Sequence, residues 1–206
     1  MTLRISGNRR LKTLPGQHTR PTPARVREAL FNMLQGGAAG GRWLDLCAGS
    51  GAVGAEALCR GASYVLGIER SGPACAIVTH NWQQVAKVNQ RFDVVRGDVV
   101  RQLARLELQP FDYIYFDPPY ASNLYEPTLT AIAARPILKQ RGTLVVEHSI
   151  DKALPNYLDI EYRASLNNPS EHPQLNRYRQ KTYGRTQLSF YGMGSATDAT
   201  GRLETS

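Results

Sequence analysis

Residues 43–54 read Trp-Leu-Asp-Leu-Cys-Ala-Gly-Ser-Gly-Ala-Val-Gly, an apolar run that opens straight into a glycine-rich turn and then a helix-compatible segment. A strand that ends in glycines and continues as a helix starts a strand–helix–strand unit. Similar short apolar runs recur at residues 64–68, 92–95, 113–116 and 143–146, again with helix-compatible stretches between them. This alternation predicts an α/β fold with a mostly parallel sheet and helices on both faces. Residues 179–183 and 186–191 flank Gly184-Arg185 and predict an antiparallel hairpin closing one sheet edge. The polar stretch 167–176, with Pro169 and Pro173, reads as a loop, and the small polar residues 192–206 as a disordered tail.

Gly49, Gly51 and Gly54 satisfy a G-x-G-x-x-G pattern, and Glu69 lies at the end of the following strand. Taken alone, this fits a dinucleotide-dependent dehydrogenase. Two acids argue against a pyrophosphate there. Asp45 sits in the strand four residues before Gly49, where a carboxylate suits a cofactor's amino group and opposes a phosphate. Asp98 follows the third strand in Arg96-Gly97-Asp98. Glu69 can take both hydroxyls of a ribose, and Asp98 can accept an adenine amino group. With the loop Ala48-Gly49-Ser50-Gly51, these acids fit S-adenosylmethionine (SAM), which has a nucleoside, an amino-acid tail and no phosphate. Each acid also has a plainer role open to it: loop cap for Asp45, solvated strand end for Glu69, helix N-cap for Asp98.

Residues 111–120 run from an apolar strand into the turn Asp117-Pro118-Pro119-Tyr120. Such a turn can methylate an exocyclic amine, a poor nucleophile whose lone pair is delocalised into its ring. Asp117 and a backbone carbonyl of the two prolines can each accept one N–H, which favours a pyramidal nitrogen with its lone pair pointing outward. The face of Tyr120 can hold the base by stacking. Proline fixes φ and brings no N–H to compete for acceptors. If the first and fourth strands are neighbours, the glycine loop and this turn emerge side by side at the carboxyl ends of the strands.

The chain has 206 residues, 42% of them hydrophobic, enough for one domain with a full core. Its +8 charge favours a polyanionic partner. The charge is front-loaded, since Arg4, Arg9, Arg10, Lys12, Arg20, Arg25 and Arg27 all precede the first acid, Glu28. An acid-free, Arg-rich start also fits a transit peptide, although Gly7, Pro15, Gly16, Pro21 and Pro23 interrupt it. Residues 3–6 and 10–14 flank Gly7-Asn8 and predict a small basic hairpin. Thr22 then reads as an N-cap before Pro23, and Val26, Ala29, Leu30, Met33 and Leu34 form a helical apolar stripe with Arg25, Arg27 and Glu28 outside it. Gly36, Gly37, Gly40 and Gly41 end that helix. Cys47, Cys59 and Cys75 have no metal spacing, which predicts reduced thiols and no metal. A nucleophilic cysteine for methylating a pyrimidine carbon would stand beside the catalytic proline, where this chain has Tyr120. No run is long enough to span a bilayer, so a cytoplasmic protein is expected.

Four blocks together resemble the RsmD-type methyltransferases, which methylate N2 of a guanine in bacterial 16S ribosomal RNA. They are Thr19-Arg20-Pro21-Thr22, Arg25-Val26-Arg27-Glu28-Ala29-Leu30-Phe31-Asn32, Leu44-Asp45-Leu46-Cys47-Ala48-Gly49-Ser50-Gly51 and Asp117-Pro118-Pro119-Tyr120. The likeness runs from Leu3 to Tyr191 and includes Lys181-Thr182-Tyr183-Gly184-Arg185-Thr186. Cys47 stands where members often carry Phe, and residues 159–176 look longer than usual. The resemblance implies a Rossmann-like, seven-stranded sheet with SAM as cofactor. It divides the chain into a basic RNA-recognition hairpin (1–18), a methyltransferase domain (19–191) and a tail (192–206). It places Asp45, Ala48, Gly49, Ser50, Gly51, Glu69 and Asp98 at the cofactor and Asp117, Pro118, Pro119 and Tyr120 at the acceptor. Arg4, Arg9, Arg10, Lys12 and Arg20, helped by Arg177, Arg179, Lys181 and Arg185, would meet phosphates of 16S rRNA, the small subunit or an assembly intermediate. A monomer is expected, with the hairpin serving the RNA and not the cofactor. An adenine-N6 methyltransferase stays open, because its target amine has the same geometry. A non-catalytic RNA-binding module is a third reading.

Overall fold

The computed structural model describes residues 2–13, 23–34, 38–159 and 174–194. Two compact units divide the chain, Met1–Gln102 and Leu103–Ser206.

The first unit opens with β1 (Thr2–Ile5) and β2 (Arg9–Lys12), paired antiparallel from Thr2↔Lys12 to Ile5↔Arg9. The tight link between them puts Gly7 at φ 72 and Asn8 at φ 56, the left-handed region that glycine and asparagine tolerate best. Helix α1 (Ala24–Met33) follows, with Pro23 at its N-cap: the Pro23 carbonyl accepts the amides of Val26 and Arg27. The predicted cap, Thr22, lies outside the described residues, as does Arg20. Three parallel strands then alternate with helices: β3 (Arg42–Leu46), α2 (Ala52–Cys59), β4 (Tyr64–Glu69), α3 (Gly72–Val85) and β5 (Arg91–Arg96), in the order β5-β4-β3. Strands β3 and β4 are buried almost throughout, as parallel strands covered on both faces must be. Ser71 caps α3 by accepting the Ala74 amide, and proline sits in its first turn.

The hairpin is not a free arm. Ile5 and Leu11 are buried, and the Ser6 amide and hydroxyl both donate to the Glu56 carboxylate on α2. Arg27, expected outside the apolar stripe, is instead 2% exposed. It donates to the Arg4 carbonyl and lies 3.6 Å from Glu56, which Arg60 also meets at 2.8 Å. Burial pushes the Glu56 carboxyl up, but the bonds from Ser6 and Arg60 outweigh it and hold it below its ordinary value. A buried charge survives here because it is paired and hydrogen-bonded.

Helix α4 (Val99–Arg105) leads into the second unit, which holds β6 (Phe111–Phe116), α5 (Tyr125–Ala133), β7 (Leu138–Ser149), β8 (Tyr157–Asp159), β9 (Gln174–Tyr183) and β10 (Thr186–Gly194), in the strand order β6-β7-β10-β9-β8. Only β6 and β7 are parallel; the remaining pairs are antiparallel, with an irregularity between Phe190 and Tyr191. The two units therefore contribute eight described strands besides the hairpin, where seven were implied, and the three-residue β8 has no counterpart among the sequence expectations. Residues 174–176, read as loop, begin β9, and 192–194, read as tail, finish β10. Residues 195–206 lie outside the described residues. Among the described residues no helix is long and apolar enough to cross a membrane.

Trp82 of α3 fixes the shape of the glycine loop. Its indole is fully buried, and a Cβ added at Gly51, Gly54 or Gly67 would lie 2.7, 2.2 or 2.7 Å from its ring atoms. Gly54 is thus a packing residue, with no space for even a methyl group. Gly54→Ala is expected to destabilise the fold by about 1–3 kcal/mol, the cost of overpacking a filled core. Urea unfolding would measure this, and a midpoint equal to the parent's would mean that the indole moves aside freely.

Candidate active site

In the first unit, the loop after β3 is a chain of left-handed residues: Cys47 at φ 64, Gly49 at φ 58 and Gly51 at φ 72. The Cys47 and Ala48 amides donate to the Ile68 carbonyl, and the Gly51 amide donates to Ala48 at 2.7 Å. Glu69, at the end of β4, accepts the Gly49 amide at 2.8 Å through Oε2 and the Ser71 amide at 2.7 Å through Oε1. Its carboxylate therefore ties the loop to the following strand end. Each carboxylate oxygen has a second acceptor direction, so both remain suited to a pair of hydroxyls.

Asp45 is 3% exposed and accepts the Gly54 amide at 3.1 Å, inside the first turn of α2. It serves as a helix cap from beneath the loop, so it would act on a cofactor amine as a nearby charge and not as an open cradle. Asp98 accepts the Arg101 amide at 3.1 Å, the ordinary task of an N-cap at the start of α4. Ala48, Ser50 and Glu69 are half-buried, and Gly51 is buried.

In the second unit, β6 ends at Phe116 and the turn begins. Asp117 is half-buried, Pro118 buried and Pro119 exposed. The Pro119 carbonyl accepts the Ser122 amide at 2.8 Å and closes the turn, which leaves the Pro118 carbonyl as the candidate second acceptor beside Asp117. Tyr120 presents 41% of its surface, yet its hydroxyl is held: it lies 2.9 Å from Thr186 Oγ1 and donates to Glu147 Oε1 at 3.2 Å. Burial and the negative charges of Glu147 and Asp117 push the phenol well above its ordinary value, against the bond from Thr186. Tyr120 is thus a protonated, tethered ring and not a base.

Glu147 is a site residue that no motif in the sequence points to. This acid of β7 is 3% exposed, and it gathers the hydroxyls of Tyr115 and Tyr120 on its carboxylate, with Tyr125 donating to its backbone carbonyl at 3.3 Å. The available signal was an acid directly at the end of the apolar run Leu144-Val145-Val146.

Arg4, Arg9, Arg10 and Lys12 are all exposed. Arg4 donates to Asn8 within the hairpin at 2.8 Å, and Arg9 reaches the Val85 carbonyl of α3 at 3.2 Å, so Arg9 helps to dock the hairpin as well as displaying charge. Arg177 donates to the Leu154 carbonyl and Asn156, and Arg185 pairs with Asp151 in an exposed ion pair of small energetic worth. Among the described residues no group of His, Cys, Asp or Glu could hold a metal ion, and all three cysteines are free thiols.

The family described as conserved hypothetical protein 95 matches residues 3–192. YlbH of Bacillus subtilis, provisionally named an rRNA methyltransferase, is 33% identical over 192 residues, covering 91% of this chain and 96% of YlbH. The ribosomal RNA small subunit methyltransferase D of Haemophilus influenzae is 33% identical over 147 residues, covering 71% and 76%. Among solved structures, yhhF of Escherichia coli, provisionally named a methyltransferase, superposes with a TM-score of 0.70 at 28% identity, covering 93% of this chain and 97% of yhhF.

Burial pushes the Asp45 carboxyl up from 3.8 to about 7; the Gly54 amide opposes this and the charge of Glu69 adds to it. Between about pH 4 and 7 the folded chain then holds a proton that the unfolded chain has released. Asp45 therefore subtracts stability as pH rises through that window, and its cost is complete above it. Asp45→Asn keeps an acceptor for the Gly54 amide without the charge. Its stability relative to the parent, measured by urea unfolding, is expected to improve from pH 5 to pH 8. A gap that does not change with pH would mean that Asp45 stays ionised under the loop.

Proposed function

The chain belongs to the conserved hypothetical protein 95 family, the RsmD-type methyltransferases, and on that premise we propose that it transfers a methyl group from SAM to the N2 amino group of a guanine in 16S rRNA. The observation that carries this reading is the Asp117-Pro118-Pro119-Tyr120 turn at the end of β6, with its aromatic ring tethered through Glu147 and Thr186.

The first unit fits the cofactor in its own chemistry. Its loop is held open by left-handed glycines and buttressed by two carboxylates, Asp45 and Glu69. Acids so placed repel a pyrophosphate and suit hydroxyls and an ammonium group. Glu69 would hold the ribose, Asp98 the adenine amine, and Asp45, through its charge, the amino-acid tail. SAM supplies a methyl group activated by a sulfonium centre.

The protein's task is then to make a flat amine nucleophilic. Asp117 accepts one N–H and the Pro118 carbonyl the other, which turns the nitrogen lone pair out of conjugation. As positive charge develops on nitrogen, Asp117 stabilises it and is placed to receive the proton that must leave. The Tyr120 ring stacks on the base, and its tether fixes the ring plane before the base arrives. The target nucleotide must leave its stack, at a cost of about a few kcal/mol that is lower in a loop than in a duplex. The exposed cations of the hairpin offset that cost through phosphate contacts, which carry affinity and no sequence information. The reading of guanine over adenine rests on the resemblance of residues 19–32 to the family, since the catalytic turn suits either amine.

Asp117→Asn retains a hydrogen-bond acceptor and loses the charge. Electrostatic stabilisation of a developing charge is worth about 2.7–4 kcal/mol, so the single-turnover rate is expected to fall roughly a hundredfold or more while SAM and RNA still bind. Near-parental transfer by a folded Asp117→Asn or Asp117→Ala protein would remove the mechanism. Tyr120→Ala, which loses the stacking face, is expected to cost about 1–3 kcal/mol. Tyr120→Phe keeps the face and loses only its tether, so it should cost less. Equal losses for the two would show that the hydroxyl, and not the ring face, does the work.

A further inference from the structure

Asn81 lies in the middle of α3 and is fully buried. Its Oδ1 accepts the Lys12 amide at 2.9 Å, while its Nδ2 donates to the Lys12 carbonyl at 3.0 Å and to the Ser50 carbonyl at 2.9 Å. The orientation of the amide is unambiguous, because its oxygen meets an N–H and its nitrogen meets two carbonyls. One buried side chain therefore holds the end of the basic hairpin and the middle of the glycine loop at once.

The next residue on α3 continues the grip: Trp82 Nε1 donates to the Gly51 carbonyl at 2.8 Å. Residues 81 and 82 thus fix two successive carbonyls of the loop. In a planar trans peptide the carbonyl and the following N–H point in opposite directions. Holding the Ser50 carbonyl toward Asn81 aims the Gly51 amide at Ala48, where it is found at 2.7 Å. Holding the Gly51 carbonyl toward Trp82 turns the Ala52 amide, at the start of α2, away from the core. A second latch, from Ser6 to Glu56, joins the opposite end of the hairpin to α2, the helix that follows the loop.

We propose that Asn81 is a positioning residue that makes the basic hairpin part of the cofactor site: the Lys12 backbone orients the Asn81 amide, and the Asn81 amide sets the peptide plane that shapes the glycine loop. The inference rests on the cofactor reading of that loop and goes beyond it. The hairpin then has two tasks, displaying charge outward and setting the loop inward. On this proposal the hairpin does not serve the RNA alone. Deleting residues 1–14 would also strand the polar groups of Asn81 and Glu56, so truncation cannot separate the two tasks.

The test uses the full-length chain with SAM alone and no RNA. Lys12→Pro removes the amide that Asn81 accepts and touches no residue of the loop. Asn81→Leu removes the side-chain amide with little change of volume. Calorimetry is expected to show SAM affinity lowered about tenfold by either substitution, roughly the worth of one or two hydrogen bonds in preorganising the loop. The double variant should be no worse than Asn81→Leu, because both changes break one linkage. Trp82 offers a readout that needs no ligand: its emission should shift in Lys12→Pro, although Lys12 and Trp82 are not bonded to each other. If Asn81→Leu does not fold, Lys12→Pro carries the test by itself. Parental SAM affinity and emission in a folded Lys12→Pro protein, or additive losses in the double variant, would overturn the proposal. Glu69→Ala in the same assay separates the two levels of inference. Unchanged affinity there would remove the loop's cofactor role, whereas a loss there with none in Lys12→Pro would remove only the role of Asn81.

Discussion

The indole of Trp82 and the three glycines that make room for it set the geometry on which the first unit depends. Gly51, Gly54 and Gly67 come from the loop, from α2 and from β4, and a side chain on any of them would enter the space of the ring. The ring's N–H is satisfied by the Gly51 carbonyl, so a large apolar group and a fixed hydrogen bond act on the same loop. Dense packing of this kind holds one backbone conformation against others. The left-handed turns that follow, the cap from Asp45 and the amide bonds to Glu69 all presuppose it.

The second unit solves a related problem with polar groups. On the proposed reading, a ring that stacks on a base must be exposed on its face and immobile in its plane. Tyr120 meets both demands because its hydroxyl is engaged by Thr186 on β10 and by Glu147 on β7 while its ring stays partly open. Glu147 can remain in the interior because tyrosine hydroxyls satisfy its carboxylate. Buried polar networks specify geometry when every member is paired and are costly when one is not. The neighbouring His148 follows the same rule: burial holds its pKa below the ordinary value, and Ser189 partners its ring at 2.9 Å.

Strands β3 to β7, the C-terminal hairpin and the glycine loop were legible in the sequence because each is a local pattern: an apolar run, a turn signal, a fixed spacing. Other features depend on distant partners. Asn81 meets residues 31 and 69 positions away, and Trp82 meets a residue 31 away, so nothing near either of them announces its role. Helical periodicity sorts charges outward and puts Arg27 on the solvent side. Arg27 is buried because Glu56 and the Arg4 carbonyl wait there. Strand β8 is three residues with only its central leucine half-covered, too short and too exposed to carry a strand's alternation. Asp98 showed the reverse limit, since an acid that fits a cofactor's amine fits a helix cap equally well, and in the structure it caps.

We propose that this chain methylates the amino group of a guanine in small-subunit rRNA. The most direct measurement is mass spectrometry of nucleosides released from 16S rRNA of a strain lacking the chain, with and without the intact gene restored. The expected result is the loss of one N2-methylguanosine per 16S rRNA and its return on complementation. An unchanged N2-methylguanosine content, or the loss of an N6-methyladenosine in its place, would contradict the claim.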